Sequence, residues 1–543
     1  MNKIFLVALV LVCLVIYAGY LNNGFVFDDK ILVESNPLIK SAHLLPNVFK
    51  TAIFDYWLGS QPYDRMYRPL QMFSYYLDYN LWGLSPSGFR FSNIILHLLN
   101  SILVFYLFSL FLNNKLLAAS TSILFLVHPV QISTVAYISA RGDLLSAFFI
   151  LSCCILFLKF LSSKSFIYYF LSMLMAILAL LSRENALLII TFLIIISAFS
   201  IKSGARFKYL SGFIACSAIY IIMRLIIFGP SGLATHEDYI KGAFALVNFI
   251  NIICRYVLLL LWPMDLRMFH STAFIRQLST PELLLFLSGL VLLLVVILKW
   301  QKVRKMPVVV GFSLSWFLLG IIPVYFYFDA YPALGRALMS ESWLYLPSIG
   351  FCAFFSYLCL LNKKGKLIIS ACVIIMATLV VSNRAYWRND VTFYERALQF
   401  LPEDCIILRN LVTACVDAGD LPKAYETINK LEKYYSDTPI TYIAWGQYYL
   451  SQGQASEALK YYQRILKKSF FSNYSISLCY AKLSDFNKAI EFSQTSFNQN
   501  PFFQKNILQL AFLYDKVDQI GQANKYLLLA KQLDPRGNYP LIK

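Results

Sequence analysis

The sequence predicts an all-α protein in two parts: a polytopic bundle of about eleven membrane-crossing helices over residues 1–382, and a soluble α-solenoid over residues 383–543. Three observations predict it. Hydrophobic side chains make up 59% of the 543 residues and charged ones only 14%, too little charge to cover one soluble surface. Residues 1–382 hold 28 Lys/Arg and 14 Asp/Glu, while the last 161 residues hold 19 and 15, so the charge density changes where the solvent changes. Apolar runs of spanning length stop near residue 382, and a repeat of about 34 residues takes their place.

Apolar stretches of spanning length, roughly 17–25 residues in an ordinary bilayer, begin near residues 3, 92, 116, 143, 166, 185, 209, 281, 308, 343 and 366. The first, Ile4 to Tyr20, has the apolar character of a signal peptide but no small-x-small cleavage pattern before Asn22 and Asn23, and reads as a retained anchor. A further stretch, Ala245 to Trp262, is interrupted by Asn248, Asn251 and Arg255 and reads as a re-entrant or interfacial helix. With a cytoplasmic N-terminus, the short loops carrying Lys115, Lys159, Lys164, Lys202, Arg206, Lys208, Lys299, Lys302, Arg304, Lys305, Lys363, Lys364 and Lys366 all face the cytoplasm, as the positive-inside rule requires. A long first outer loop, 21–91, lies on the opposite side. So do all 14 acidic residues of the membrane part. Acidic residues hardly influence insertion, so their segregation reads either as a consequence of longer outer loops or as an outward-facing polar cavity for a charged substrate.

Of the net charge of +18, the membrane part carries +14, which its basic loops explain; a nucleic-acid partner is excluded. The 11 cysteines are scattered, most of them in apolar runs, with neither a disulfide framework nor CxxC metal spacing.

In the tail, Ala424, Ala458, Ala489 and Ala523 recur at intervals of 34, 31 and 34, Pro501 and Pro535 at 34, and WGQYYLSQGQASEALKYYQRIL matches the tetratricopeptide pattern. Small residues let paired helices approach closely, and stacked pairs form a curved solenoid whose concave face suits an extended peptide, unless the solenoid is only a spacer. Eleven crossings place it outside the cytoplasm, with the acidic loops.

Three clusters can carry chemistry. Asp28 and Asp29 follow the first membrane helix in GFVFDDK; adjacent carboxylates beside a bilayer push their pKa values apart, which suits one to take a proton and its neighbour to orient a substrate or hold a metal. A solvated loop turn is the plainer reading. HPVQISTVAYISARGD ends in Arg141 and Asp143, and LLSREN carries Arg183 and Glu184. Arginine matches a phosphate by forked hydrogen bonds, and lipid carriers hold their phosphate at headgroup depth; each pair is equally readable as a helix-end salt bridge. His128 reads as an interhelical hydrogen-bonding group, since no second histidine lies near it in sequence.

Taken in order, FVFDDK, MYRPLQMFSYYLDYNLWGLSPSGFRFSNIILHLLN, HPVQISTVAYISARGDLLS, LLSREN, SWLYLPSIGF and AYWRNDVTFYERAL resemble the transmembrane and tetratricopeptide-repeat O-mannosyltransferase family and its bacterial relatives, over nearly the whole chain. The resemblance implies a GT-C glycosyltransferase fold, a polyprenyl-phosphate sugar donor, and inverting transfer to a protein Ser/Thr hydroxyl on the non-cytoplasmic face. It implies a catalytic base in the pair Asp28 and Asp29, and donor-phosphate contacts from Arg141, Arg183 and Arg336, with His128, Asp143 and Glu184 in support. It also implies a multi-pass protein of a bacterial cytoplasmic membrane. Three positions depart from the family pattern: Ser133 stands where an acidic residue is usual, Arg183-Glu184 replaces Lys-Glu, and Glu341-Ser342 replaces Glu-Arg, with Arg336 six residues before Ser342.

The expected partners are a polyprenyl-phosphate-linked sugar, an acceptor protein or peptide held by the repeats, and membrane lipid. No cofactor is indicated, and a divalent metal is unsupported by any ligand cluster. Nothing in the sequence reads a sugar's hydroxyl pattern, so mannose rests on the resemblance alone. Two other readings stay open. The missing arginine at position 342 suits a membrane-anchored scaffold that has lost activity. A lipid-linked-sugar flippase needs internally repeated halves, which the bundle lacks.

Overall fold

In the computed structural model of the chain, the described residues are 3–58, 66–200, 209–229, 243–268, 270–273, 307–326 and 336–542. They are helical nearly throughout, and the one ladder among them pairs His270–Ala273 antiparallel with Arg336–Met339. The chain divides into two compact units, each discontinuous in sequence: 1–22 with 87–384, and 23–86 with 385–543.

The first unit is a membrane bundle. Lys3–Asn22, Pro86–Leu112, Ile138–Ser163, Ser211–Phe228 and Gly365–Trp387 are long and apolar enough to cross a bilayer. Burial separates inner from outer helices: Ile138–Ser163 is 67% buried along its apolar window and Gly365–Trp387 only 17%, so the second presents its isoleucines and valines to lipid. Lys115–Val127 and Pro129–Val135 form a sixth span if the pair is counted as one. They are bent by 51°, because Pro129 has no N–H to continue the helix and holds His128 extended. Phe166–Ser182, Glu184–Phe199, Leu246–Leu261, Val308–Val324 and Pro347–Leu360 are shorter apolar helices. Helices therefore occupy ten of the eleven expected segments, and among the described residues five of them, or six with the bent pair, are long and apolar enough to cross a bilayer. The segment from 281, its basic loop 299–305, the loop at 202–208, and Asp64, Glu237, Asp238, Glu282 and Asp329 lie outside the described residues. Close approach is enforced where Gly350 meets Val308–Ile321; a Cβ there would lie 2.8 Å from the Phe317 amide nitrogen.

The second unit is the solenoid with the first-loop residues. Paired helices run Cys405–Asp417 with Leu421–Tyr435, Pro439–Ser451 with Ala455–Gln463, Phe470–Lys482 with Phe486–Gln499, and Gln504–Lys516 with Ile520–Leu533. Ala424, Ala458, Ala489 and Ala523 are all fully buried in the second helix of their pair. Five residues before each alanine, the turn takes a left-handed residue: Gly419 (φ 76°), Gly453 (φ 78°), Ser484 (φ 62°) and Asp518 (φ 59°). The turn geometry therefore repeats with the alanines, and two repeats bear it without glycine.

First-loop residues pack on this unit at both ends of the solenoid. Near its start, the Gly24 amide donates to the Arg388 carbonyl at 2.9 Å. Near its end, Lys40 lies 3.5 Å from Asp534, Tyr79 donates to Asp534 at 2.9 Å, Arg536 donates to the Tyr79 carbonyl at 2.8 Å, and Asn500 donates to the Tyr56 carbonyl at 3.1 Å.

Candidate functional site

The carboxylate pair belongs to the second unit. Gly24 to Phe27 lead into a tight turn in which the Asp29 amide donates to the Val26 carbonyl at 3.0 Å and the Val26 amide returns a bond to Asp29 Oδ2 at 3.3 Å. The Leu32 amide then donates to the Asp28 carbonyl at 2.7 Å as a π-helical turn, Lys30–Glu34, begins. Asp29 is fully buried and Asp28 half-buried, so adjacency in sequence has produced two different environments. Phe27, immediately before the pair, is held left-handed at φ 51°. A bulky side chain in that region costs about 1–3 kcal/mol and persists only where its surroundings enforce it.

The enforcing contacts come from the helix Asp390–Leu398. Asp390, 8% exposed, accepts the Phe27 amide on Oδ1 at 2.9 Å and meets the Lys30 ammonium with Oδ2 at 2.5 Å. The Phe27 ring stacks on Phe393 and stands edge-on to Tyr394. Burial lowers the Lys30 pKa, but the hydrogen bond and charge of Asp390 outweigh it and hold the ammonium above its usual range. Burial, joined by the negative charges of Asp390 and Asp28, pushes the Tyr394 phenol well up.

The arginine clusters belong to the first unit. Arg183 is the extended residue that joins Phe166–Ser182 to the turn Glu184–Leu188, and its guanidinium pairs with the buried Asp143 carboxylate. Glu184 is buried in the same turn, and Ser146 donates to Asn185 at 3.0 Å. Arg141 is 1% exposed: Nε donates to Asn93 Oδ1 at 2.7 Å, Nη2 to the Phe89 carbonyl at 2.6 Å, and the guanidinium lies over the Phe89 ring. The Val130 amide donates to Nδ1 of His128, and Nε2 of that ring donates to the Leu260 carbonyl at 3.1 Å, so both nitrogens are engaged.

Sequence reasoning missed a polar stripe on Pro86–Leu112. Arg90, Asn93, His97 and Asn100 are all fully buried, and their spacing of three, four and three puts them on one helical face. Arg90 Nε donates to the Ala136 carbonyl at 2.9 Å and Asn93 to the Tyr137 carbonyl at 3.2 Å, so the stripe holds the irregular segment 128–141 that leads to Arg141. Polar residues at helical spacing in an otherwise apolar run were the available signal. A second omission concerns Glu341, buried at 1% exposure. It accepts the Arg267 amide at 2.6 Å and lies 2.8 Å from His270 Nε2, while Arg267 Nε donates to His270 Nδ1 at 3.3 Å. An arginine thus stands beside Glu341 although position 342 is serine. Arg336 begins the strand Arg336–Met339, and its side chain lies outside the described residues. Among the described residues, no three His, Cys, Asp or Glu side chains converge to hold a metal ion.

No family model matches the chain. The chain is 27% identical over 448 residues to the protein O-mannosyl-transferase F38B6.6 of Caenorhabditis elegans, covering 79% of this chain and 63% of that protein. It is 24% identical over 486 residues to the human protein O-mannosyl-transferase TMTC4, covering 75% and 63%, and 32% identical over 170 residues to human TMTC3, covering 30% and 18%. The chain is therefore similar over most of its length to TMTC-family protein O-mannosyl-transferases, and spans less than two thirds of their length. Among solved structures, yeast Tom70 is matched over 80% of this chain and 92% of its own at a TM-score of 0.25 and 12% identity. The Cut9–Hcn1 tetramer of the APC/C is matched over 80% and 72% at 0.24 and 13%. Scores this low carry no argument about the fold.

Proposed function

We propose that this chain is a membrane glycosyltransferase that moves a sugar, mannose by resemblance, from a polyprenyl-phosphate carrier to a protein Ser/Thr hydroxyl on the non-cytoplasmic face of a bacterial cytoplasmic membrane. The observation that carries the proposal is the similarity, over 79% of the chain, to a protein named as a protein O-mannosyl-transferase. The contrast between a half-buried Asp28 and a fully buried Asp29 supports distinct roles for the pair.

In the proposed reaction, Asp28 takes the proton of the acceptor hydroxyl as its oxygen attacks the anomeric carbon. The bond from that carbon to the phosphate oxygen breaks, its electron pair leaves with the lipid phosphate, and the configuration inverts. Asp29 fixes the turn and orients the acceptor. Positive charge aimed at the departing phosphate lowers the barrier, and Arg183 and Arg141 are the proposed source. Arg183 comes first because its side chain is 13% exposed. Asp143 holds Arg183 in place, and Glu184 and Arg336 are proposed to assist. This mechanism requires the repeats to present the acceptor.

The test is transfer from a panel of polyprenyl-phosphate sugars to Ser/Thr peptides, using the purified full chain in lipid. The expected result is transfer from one donor, with a product of inverted anomeric configuration. Absence of transfer with every donor, from protein shown to be folded, would replace the enzyme with a membrane-anchored scaffold.

A further inference from the structure

The two oxygens of Asp390 grip opposite sides of the carboxylate pair. Oδ1 accepts the amide of Phe27, the residue before Asp28, at 2.9 Å; Oδ2 meets the ammonium of Lys30, the residue after Asp29, at 2.5 Å. Between these two holds lies a turn that the backbone would not adopt unaided, since Phe27 is left-handed and its ring must be kept in place by Phe393 and Tyr394. The Gly24 amide, bonded to the Arg388 carbonyl, fixes the approach of the same segment. Every one of these partners comes from residues 388–394, at the entrance to the repeats.

An acidic residue at the first position of a helix is ordinarily explained by the helix dipole. Here, however, the capping is done by its neighbours: the Asn389 side chain accepts the Thr392 amide, and the Thr392 hydroxyl accepts the Asn389 amide. Asp390 is left to turn both oxygens to the loop. We propose that Asp390 is a positioning residue for the Asp28–Asp29 pair, and that the first helix of the repeat region is thereby a working part of the catalytic unit rather than only a platform for the acceptor. The proposal rests on the reading of that pair as the acceptor-activating carboxylates. The second attachment of the first loop, through Lys40 and Tyr79 to Asp534, is consistent with a repeat region that holds the loop and is not merely appended to it.

The experiment compares full-length Asp390→Ala, Asp390→Asn, Lys30→Met and Lys30→Arg in lipid. It measures kcat and acceptor KM for sugar transfer, and hydrogen exchange at amides 26–32 and in the repeats 405–533. A misplacement near 1 Å lowers rate by up to about 100-fold, so Asp390→Ala is expected to lower kcat about 10- to 100-fold while KM stays within about twofold. Exchange should rise at 26–32 and stay unchanged in the repeats. Asp390→Asn keeps an oxygen for the Phe27 amide and should fall between Ala and wild type, and Lys30→Arg should restore what Lys30→Met loses. Unchanged kcat in Asp390→Ala, or unchanged exchange at 26–32, overturns the proposal; so does a loss confined to KM. If wild-type protein transfers no sugar, the glycosyltransferase reading fails, whereas the exchange measurement still decides whether Asp390 holds the turn.

Discussion

Alanine at Gly446 tests the solenoid at a close helix contact. A Cβ on this residue of Pro439–Ser451 would lie 2.6, 2.7 and 2.8 Å from three ring carbons of Tyr462, in the partner helix. Ordinary carbon contacts need about 3.5–4.0 Å, so ring and helix must part by about 1 Å. Tyr462 cannot swing aside, because it is fully buried among Ala458, Ile465, Ile476 and Cys479. Overpacking of this kind costs about 1–3 kcal/mol, against which removing a mid-helix glycine returns about 1 kcal/mol. A net loss of up to about 2 kcal/mol follows from those two terms. The control is Gly521→Ala in Ile520–Leu533, where an added Cβ meets nothing within 4 Å and only the gain remains. Hydrogen exchange of the full chain in detergent reads both, as the opening free energy of amides in 439–482 and 504–533 respectively. A rise in protection in Gly446→Ala as large as that in Gly521→Ala would refute the packing argument.

Other predictions concern turns and charges. Ser484→Gly should stabilise the third helix pair by about 1 kcal/mol, since serine carries the left-handed φ that glycine adopts freely, and Gly453→Ala should destabilise its own turn by a similar amount; thermal unfolding measures both. Arg183→Gln strips the arginine from the buried Asp143 and should cost about 3–5 kcal/mol, whereas the double change with Asp143→Asn should cost less than Arg183→Gln alone. Lys30 and Lys40 should give pH dependences of opposite sign. The folded pKa of Lys30 is raised above 10.5, so its contribution is complete below that pH and is lost as pH rises through the folded value. The folded pKa of Lys40 is lowered, by burial that its pairing with Asp534 only partly offsets; the cost of burying its charge therefore fades as pH rises through that lowered value toward 10.5. Unfolding midpoints against pH, with Lys30→Met and Lys40→Met as references, should diverge in those directions.

The repeats were legible because their determinants are local and periodic. Each buried alanine marks the second helix of its pair, and the interval between alanines is also the interval between the left-handed turns. The apolar runs announced helices equally well, since a bilayer demands them, but run length alone does not give the length of the helix that forms, as the 14 residues of Pro347–Leu360 show. What escaped the sequence is contact across distance. Asp390 lies 363 positions from Phe27, and Glu341 lies 71 from His270, so no periodicity links them. Asp390 also sits inside AYWRNDVTFYERAL, where nothing local in the sequence marks it. The stripe from Arg90 to Asn100 was within reach, because its spacing is helical and its polarity is out of place in an apolar run.

The most direct measurement is single-turnover sugar transfer by folded, lipid-embedded protein, comparing wild type with Asp28→Asn and Asp29→Asn. If Asp28 takes the acceptor proton, Asp28→Asn should lose at least about 100-fold in rate, as loss of a general base does, while still binding the donor lipid. Undiminished transfer by both variants would contradict the assignment of the carboxylate pair.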